Sequence, residues 1–338
     1  MASPSSSPSP AASSSSSSSS TTSSTPKLAP WQNAASGAFA GVVNRAIIAP
    51  IDVIKIRLQI ETAALSLRQG RLCAAADAKY TSIAGTLRTV VREEGPAALW
   101  KGNVAAECLY LSYGAIQFLL YHELEARFHP QYRDVQTLAA GAVSGCVATA
   151  ATYPFDLLRT QFAAQGRERV HRSLVGGVRA IVAREGVAGL YRGLAPSLVQ
   201  IVPGMGLMFW VHGRAQLALR HVPRLHDHAT VRDVVAGSLA GAVSKMAMMP
   251  LDVVRKRQQV QGPHRTRFVG RVPHYAGGMG AILRTILRRE GLLGLYRGLL
   301  TSLLKTVPSS ALTFVLVGQA RRFFADPRRT ATATVPSA

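Results

Sequence analysis

Three acids each precede a base by three residues, at corresponding places in the chain. The acids are Asp52, Asp156 and Asp252, and their bases are Lys55, Arg159 and Arg255. Residues three apart lie on one face of a helix, so three such helices around a common axis would bring three acids against three bases. Buried ion pairs are expensive to desolvate and expensive to break. The spacing therefore predicts a ring of ion pairs between helices that acts as a gate, closed when paired and open when the helices splay.

These pairs belong to a block, P-x-D-x-x-[KR], that occurs three times and is followed each time by E-G-x-x-x-L-[WY]-[KR]-G. The prolines are Pro50, Pro154 and Pro250, which are 104 and 96 residues apart. The second block spans 94–102, 185–193 and 290–298. Repetition at this distance indicates one structural unit used three times. A single acid–base pair would be explained more simply as a helix cap on a soluble protein, but three in register favour the gate.

Six apolar stretches would form the long helices that carry these residues. They span 34–57, 103–125, 135–162, 194–217, 230–259 and 299–322. Each is close to the roughly 20 residues that cross the hydrocarbon core of a bilayer. Each repeat also has a shorter segment with helical spacing that ends in Glu-Gly, where glycine suits a helix C-terminus. These segments lie near 80–94, 173–185 and 276–290. Buried helices of a soluble all-α protein are the alternative; length, composition and repetition favour a membrane.

Proline and glycine predict the shape and packing of the first helix in each repeat. Each proline removes a backbone hydrogen bond inside an apolar helix, so kinks at one depth would bend the three helices toward a common axis. Two glycines four residues apart precede each proline, and such pairs let helix backbones approach closely in lipid. The pairs are Gly37/Gly41, Gly141/Gly145 and Gly237/Gly241.

Charge and composition limit the other classes of protein. The 338 residues carry a formal net charge of +22, which is also typical of nucleic-acid binding. However, lysine and arginine lie in loops between the apolar stretches rather than on one amphipathic face. The Ser-rich residues 1–28 are expected to be disordered, and 326–338 form a second polar tail. We find no convincing nucleophile–base pair, metal cluster or phosphate loop that would indicate an enzyme.

Both blocks, in their threefold order, resemble the mitochondrial carrier family, and the resemblance covers residues 30–324. It implies an all-α membrane protein with six transmembrane helices in three pseudo-threefold repeats, each with a short matrix helix. It also implies alternating access through a central cavity, in the inner mitochondrial membrane. The repeats would span 29–130, 131–224 and 225–325. The implied pairs of the matrix gate are Asp52–Arg159, Asp156–Arg255 and Asp252–Lys55.

The same resemblance implies further gate residues. The family has a glutamine brace nine residues after the proline, which matches Gln59 and Gln259, whereas the second repeat has Ala163 there. The family also ends its second helices with an aromatic residue, an acid and a base. The aligned positions here are Tyr121-His122, His212-Gly213 and Val317-Gly318. None has the acid, so no ion-pair network is predicted on the cytoplasmic side.

Ionisable residues within the apolar stretches are candidates for binding, because exposing them to lipid is costly. Three bases, Arg45, Lys245 and Lys305, stand against one acid, Glu107. This balance indicates an anionic and phosphorylated ligand. Snorkelling to the membrane surface is the alternative for Arg45 and Lys245. From the family's contact positions, the other substrate-binding candidates are Leu109, Tyr110, Gln200 and Ile201.

Three shorter strings, at 102–107, 200–206 and 260–263, resemble fungal members of the family that carry thiamine pyrophosphate. The resemblance implies import of this diphosphate in exchange for nucleotides, with its thiazolium cation near Glu107 and an aromatic ring on Tyr110 or Tyr113. Transport of another phosphorylated anion, such as a nucleotide or coenzyme A, is the alternative. We expect no cofactor, no metal and no nucleic acid. We expect a monomer in a lipid bilayer, with cardiolipin as a candidate lipid partner.

Overall fold

The protein is described by a computed structural model, which is almost entirely helical over the described residues. These are 30–62, 65–68, 71–74, 79–80, 82–127, 133–220, 229–269, 273–275 and 277–305, with 312, 316 and 319. Both predicted polar tails lie outside them.

Three helices of 31 or 32 residues surround a common axis. They are α1 (Pro30–Ile60), α4 (Arg133–Ala164) and α8 (Ala229–Gln259). Each contains the proline of its repeat and continues through it. Each of the three contacts the other two, so residues at equivalent positions face one another across the axis.

A second long helix follows in each repeat. Helix α3 (Asn103–Glu125) packs on α4, and α7 (Ile201–Arg220), preceded by the short α6 (Leu194–Val199), packs on α8. Residues 299–305 are also helical, and most of the sixth predicted stretch lies outside the described residues. Five of the described helical segments are long and apolar enough to cross a membrane.

Large apolar side chains on the outer helices face away from the protein. Phe118, Leu119, Phe209 and Trp210 are 63–66% exposed. Exposed apolar surface of this kind is rare on monomeric soluble proteins and marks contact with a membrane or a partner. Together with the length of the helices, it argues against the soluble all-α alternative.

Short helices follow the long ones at the predicted places: α2 (Ile83–Glu94), α5 (Leu174–Glu185) and α9 (Met279–Leu295). The Ser82 and Ser173 hydroxyls cap the first two by accepting a backbone N–H at 3.1 Å, which satisfies an otherwise unpaired donor. Each helix meets a glycine with positive φ directly after its glutamate: Gly95 (+85°), Gly186 (+70°) and Gly291 (+69°). The last interrupts α9. The predicted Glu-Gly ends are confirmed.

Three other glycines join each repeat to the next. Gly102, Gly193 and Gly298 have φ of +85°, +85° and +78°, a region that other residues adopt only with strain. A Cβ on Gly102 would lie 2.7 Å from the Arg159 carbonyl oxygen, and one on Gly193 would lie 3.2 Å from that of Arg255. On Gly298 it would lie 3.0 Å from Gln59 of the first repeat. These contacts bring the backbones together beside the gate residues and close the ring.

Two features differ from the sequence analysis. Strands β1 (Leu65–Arg68) and β2 (Arg71–Ala74) form an antiparallel hairpin in the first repeat, which no pattern predicted. The glycine pairs behave unequally. The Cβ positions of Gly141 and Gly145 would contact Met205 and Tyr113, whereas those of Gly37 and Gly237 meet nothing within 4 Å among the described residues. Close packing in the described part of the chain is therefore seen at the pair of the second repeat, and at the other two pairs it stays a prediction.

The C-terminal ends of the three long helices converge on an apolar cluster, which we call the gate plug. It consists of Val53, Ile56, Ile60, Ala163, Ala164, Val260 and Phe268, each no more than 5% exposed. Because it draws on all three repeats, it closes the axis at this end of the protein. Ala163, at the position of the missing glutamine brace, is part of it.

Candidate functional site

A cavity lies on the axis between the long helices, next to the ring of predicted gate residues. Its volume is about 310 Å³, which lies at the lower end of the size of ordinary ligand sites. Six basic and three acidic side chains line it: Lys55, Arg159, Lys245, Arg255, Lys256, Lys305, Asp52, Asp156 and Asp252. When all are ionised, the lining carries an excess of three positive charges.

The structure brings the predicted gate residues together in the implied cyclic order. Arg159 lies 2.5 Å from Asp52, Arg255 lies 2.8 Å from Asp156, and Lys55 lies 3.5 Å from Asp252. Each pair joins one long helix to another, and the side chains are 6–18% exposed. Low exposure strengthens the attraction between such charges and makes the loss of one partner costly. The arrangement can hold α1, α4 and α8 together at this end.

Each gate acid also binds a second base, which is a lysine in all three cases. Lys305 lies 2.6 Å from Asp52, Lys245 donates to Asp252, and Lys256 lies 3.5 Å from Asp156. Two of these lysines were predicted to bind substrate, and they line the cavity as expected. They are nevertheless paired with gate acids. A ligand anion would therefore have to compete with the gate for them.

The other two predicted ionisable residues bind each other. Arg45 Nη1 lies 3.3 Å from Glu107 Oε2, and its guanidinium lies 4.0 Å from the ring centre of Tyr110. The Tyr110 hydroxyl in turn accepts a hydrogen bond of 3.0 Å from Arg159. The sequence analysis predicted three bases against one acid. The structure differs, because Arg45 and Glu107 form an ion pair and neutralise each other. Glu107 Oε1 is buried without a hydrogen-bond partner in the described part of the chain.

The uncharged candidates also face the cavity. Leu109, Tyr110, Gln200 and Ile201 all line it. With its amide in the orientation that suits its neighbours, Gln200 donates to Asp252 at 3.2 Å and accepts from Arg255 at 3.0 Å. Gln200 lies between α6 and α7. Because Asp252 and Arg255 belong to different gate pairs, Gln200 contacts two of the three pairs. Sequence position alone did not indicate this link.

The two candidate braces differ. Gln259 donates to Asp156 and, at 3.1 Å, to the Tyr153 hydroxyl. Its side-chain amide oxygen accepts from Thr160 at 2.7 Å and from Lys256 at 2.9 Å. Gln59 is fully buried, but its amide has no hydrogen-bond partner among the described residues. Of the two candidate braces, Gln259 alone forms a hydrogen bond with a gate residue among the described residues.

A second set of buried bases, absent from the sequence analysis, lies just beyond the gate. Arg57 and Arg257 stand seven residues after the prolines of their repeats and are fully buried. Arg57 binds both carboxylate oxygens of Glu94 at 2.5 and 2.9 Å, and donates to the Ala163 carbonyl oxygen at 3.1 Å. Each arginine joins the short helix of its own repeat to the backbone of another repeat. An arginine seven residues after the proline in two of the three repeats was the available signal.

Arg57 and Arg257 have matching partners. Arg257 binds Glu290 through two nitrogens and donates to the Gln59 carbonyl oxygen at 3.2 Å. Both arginines also donate to a tyrosine, Tyr80 at 3.0 Å and Tyr275 at 2.9 Å. Burial raises the pKa of the Tyr80 hydroxyl to about 12. Burial works to raise the pKa of the Glu94 carboxyl, but the hydrogen bonds from Arg57 and Lys101 bring it below its ordinary value.

The second repeat lacks this arginine. Gln161 stands in its place, with its amide oxygen 3.1 Å from His171 Nε2, and its nitrogen donates to the Gln259 carbonyl oxygen at 3.1 Å. Burial, with a smaller effect of His264, lowers the pKa of His171 to about 4. The imidazole is therefore neutral near pH 7. Among the described residues, no group of three His, Cys, Asp or Glu could hold a metal ion.

Comparison with known proteins identifies relatives of similar length. A family profile described as "Mitochondrial carrier protein" matches residues 26–132, 130–221 and 226–328. The "Mitochondrial thiamine pyrophosphate carrier 1" of Neurospora crassa is 47% identical over 298 residues, which are 83% of this chain and 88% of that protein. Proteins of the same name from Aspergillus terreus and Coccidioides immitis are 44% and 42% identical, over 83% and 84% of this chain and 88% and 89% of theirs.

Proposed function

Because the chain belongs to the mitochondrial carrier family, we propose that it imports thiamine pyrophosphate into the matrix in exchange for nucleotides. It does so by alternating access, without covalent chemistry and without a cofactor. The charge of the cavity carries this proposal, since six bases face three acids around its lining. The names of the relatives support the same substrate.

The phosphates would bind where lysines are already placed. Lys305 is 26% exposed and Lys245 is 30% exposed, whereas the acids that they bind are 18% and 9% exposed. The lysines are thus the members of each pair that an incoming anion can reach. A diphosphate that takes them from Asp52 and Asp252 would remove charge compensation from the gate. Such a ligand binds the open-gate state better than the closed one, which is the condition for driving the change.

The cationic part of the substrate would bind near Glu107. Its Oε1 atom is buried without a hydrogen-bond partner in the described residues, and a free carboxylate oxygen suits a thiazolium or an amine donor. The neighbouring Tyr110 ring already holds Arg45 at 4.0 Å, so it can hold a ligand cation in the same way. Tyr110 lines the cavity, whereas Arg45 and Glu107 are not among its lining residues, so contact of the thiazolium with Glu107 requires the pair with Arg45 to separate.

A thermal-stability panel tests the substrate. The purified carrier is heated with thiamine, thiamine monophosphate, thiamine pyrophosphate, ATP and coenzyme A in turn. A ligand at 100 times its Kd stabilises the folded protein by about 2.7 kcal/mol, so thiamine pyrophosphate is expected to raise Tm most. If only ATP or coenzyme A stabilises the protein, that compound becomes the proposed substrate in place of thiamine pyrophosphate, and the carrier function stands.

Two variants refine the panel. Lys305→Ala should abolish the shift with thiamine pyrophosphate, whereas Lys79→Ala, which breaks an exposed pair with Glu93, should leave it unchanged. Glu107→Gln should reduce the preference for thiamine pyrophosphate over ATP. Unchanged selectivity in Glu107→Gln would remove Glu107 from the site.

The remaining parts of the proposal concern the surroundings of the carrier. The family places it in a mitochondrial membrane, and we propose the inner membrane, as a monomer that binds no nucleic acid and has cardiolipin as a lipid partner. Size-exclusion chromatography with light scattering, in detergent with and without cardiolipin, measures the mass of the protein in the complex. A stable dimer would contradict the proposal that the carrier is a monomer.

A further inference from the structure

The three contacts between the long helices are fastened unequally. At the contact of α1 with α4, Asp52 binds Arg159, while its second base, Lys305, comes from the helix at 299–305. At the contact of α8 with α1, Asp252 binds Lys55, while its second lysine, Lys245, lies on α8 itself. In neither case does the second base join the two long helices.

The contact of α4 with α8 is different because both bases on Asp156 come from α8. Arg255 lies at 2.8 Å and Lys256 at 3.5 Å from both carboxylate oxygens. Lys256 also donates to the Thr160 hydroxyl of α4 at 2.8 Å. If α4 and α8 separate, Asp156 loses both of its bases at once. Leaving a buried charge without its partner costs several kcal/mol.

Lys256 has no counterpart in the other repeats. The equivalent positions, six residues after the proline, are Ile56 and Thr160. Its side chain is 11% exposed, and a buried ammonium is retained only where hydrogen bonds and counter-charge compensate for lost hydration. Here Asp156, Thr160 and Gln259 supply them. The residue therefore acts on this one contact and not on the ring as a whole.

The other two contacts have a buried arginine instead, since Arg257 of α8 donates to the Gln59 carbonyl oxygen of α1 at 3.2 Å and Arg57 of α1 donates to that of Ala163 of α4 at 3.1 Å. We propose that Lys256 is a positioning residue that fastens α8 to α4 and holds the gate closed at the contact that lacks this arginine. This inference rests on the proposed function only in treating the ring as a gate. It does not depend on which solute is carried.

Thiol labelling measures how often the gate opens. Cys73, Cys108 and Cys146 are first replaced by serine in the full-length protein. Val260→Cys then places a thiol in the gate plug, where valine is fully buried, and the smaller side chain does not overfill the site. Ser144→Cys places a near-isosteric thiol on α4, also fully buried but 12 residues before Asp156. A maleimide labels each protein in detergent, without substrate.

Lys256→Met is expected to raise the labelling rate at position 260 by about tenfold, equivalent to 1.4 kcal/mol, and to leave position 144 unchanged. Lys79→Met, the same substitution in an exposed pair with Glu93, should change neither rate. Thr160→Val removes the shortest hydrogen bond of Lys256 while keeping every charge. It should raise the rate at position 260 by a smaller factor, and it serves alone if Lys256→Met does not fold.

Equal rates at position 260 with and without these substitutions would overturn the proposal. Faster labelling at positions 260 and 144 together would also overturn it, because general loosening is not release of the gate. Since no substrate is present, failure here is separate from failure of thiamine pyrophosphate to stabilise the wild-type protein. Failure of the labelling experiment would show that Lys256 does not hold the gate. Failure of the stability experiment would show that thiamine pyrophosphate is not the substrate.

Discussion

Substitution of Gly102 by alanine tests how closely the repeats must approach. Gly102 has φ of +85°, and an added Cβ would lie 2.7 Å from the Arg159 carbonyl oxygen and 3.3 Å from Phe162 Cβ. Neither neighbour is the end of a flexible side chain, so backbone must move. With ψ of 3°, Gly102 lies in the left-handed helical region, which a residue with a Cβ can adopt at a modest cost. The strain and the steric contact therefore both contribute to the cost of Gly102→Ala.

The two contributions can be separated in magnitude. Left-handed backbone at a residue with a Cβ costs about 1 kcal/mol. Overpacking a well-filled interior costs roughly a further 1–3 kcal/mol. We therefore expect Gly102→Ala to lose about 3 kcal/mol, against about 1 kcal/mol if the backbone strain acted alone.

Thermal unfolding in one detergent, at one heating rate, compares Gly102→Ala with the wild type. A loss of about 3 kcal/mol corresponds to a Tm lower by roughly 6 °C or more. A fall of only about 2 °C, the effect of the backbone strain alone, would refute the reasoning, since the close approach to Arg159 would then contribute nothing.

Two further predictions concern buried ionisable groups beyond the gate. Glu290→Gln leaves the buried Arg257 without its carboxylate and should destabilise the protein by about 3 kcal/mol; Glu93→Gln, in an exposed pair, should cost under about 1 kcal/mol, and similar Tm values would contradict this. His171 has a pKa of about 4 in the folded protein and about 6.5 when unfolded. Only the unfolded chain binds the proton between these values, so Tm should fall as pH decreases from 6.5 to 4. His171→Gln should flatten that decline, and an unchanged pH profile would exclude His171 as its source.

The gate pairs were predictable because repetition replaces tertiary information. Asp156 and Arg255 are about 100 residues apart, yet each recurs at the same place in every repeat, which indicates a cyclic ring of ion pairs. The resemblance to the family then indicated which acid meets which base. The Glu-Gly helix ends were predictable for a local reason, since glycine alone enters positive φ without strain. Both depend on patterns that a sequence displays directly.

The partners of the cavity lysines were not predictable in this way. Lys305 was correctly placed on the axis by its position in the repeat, but its bond to Asp52 depends on side-chain geometry between the third and first repeats. The pairing of Arg45 with Glu107 depends equally on the rotation of α1 against α3. Repetition also hides what differs between repeats, which is why Lys256 and the hairpin at 65–74 escaped the sequence analysis.

Uptake into liposomes tests the central claim most directly. Wild-type protein is reconstituted in liposomes loaded with unlabelled thiamine pyrophosphate, and entry of labelled thiamine pyrophosphate is followed against empty liposomes. We predict saturable uptake that requires the internal anion and is lost in Lys305→Ala but retained in Lys79→Ala. A folded wild-type preparation that takes up neither thiamine pyrophosphate nor any other phosphorylated anion would contradict the account.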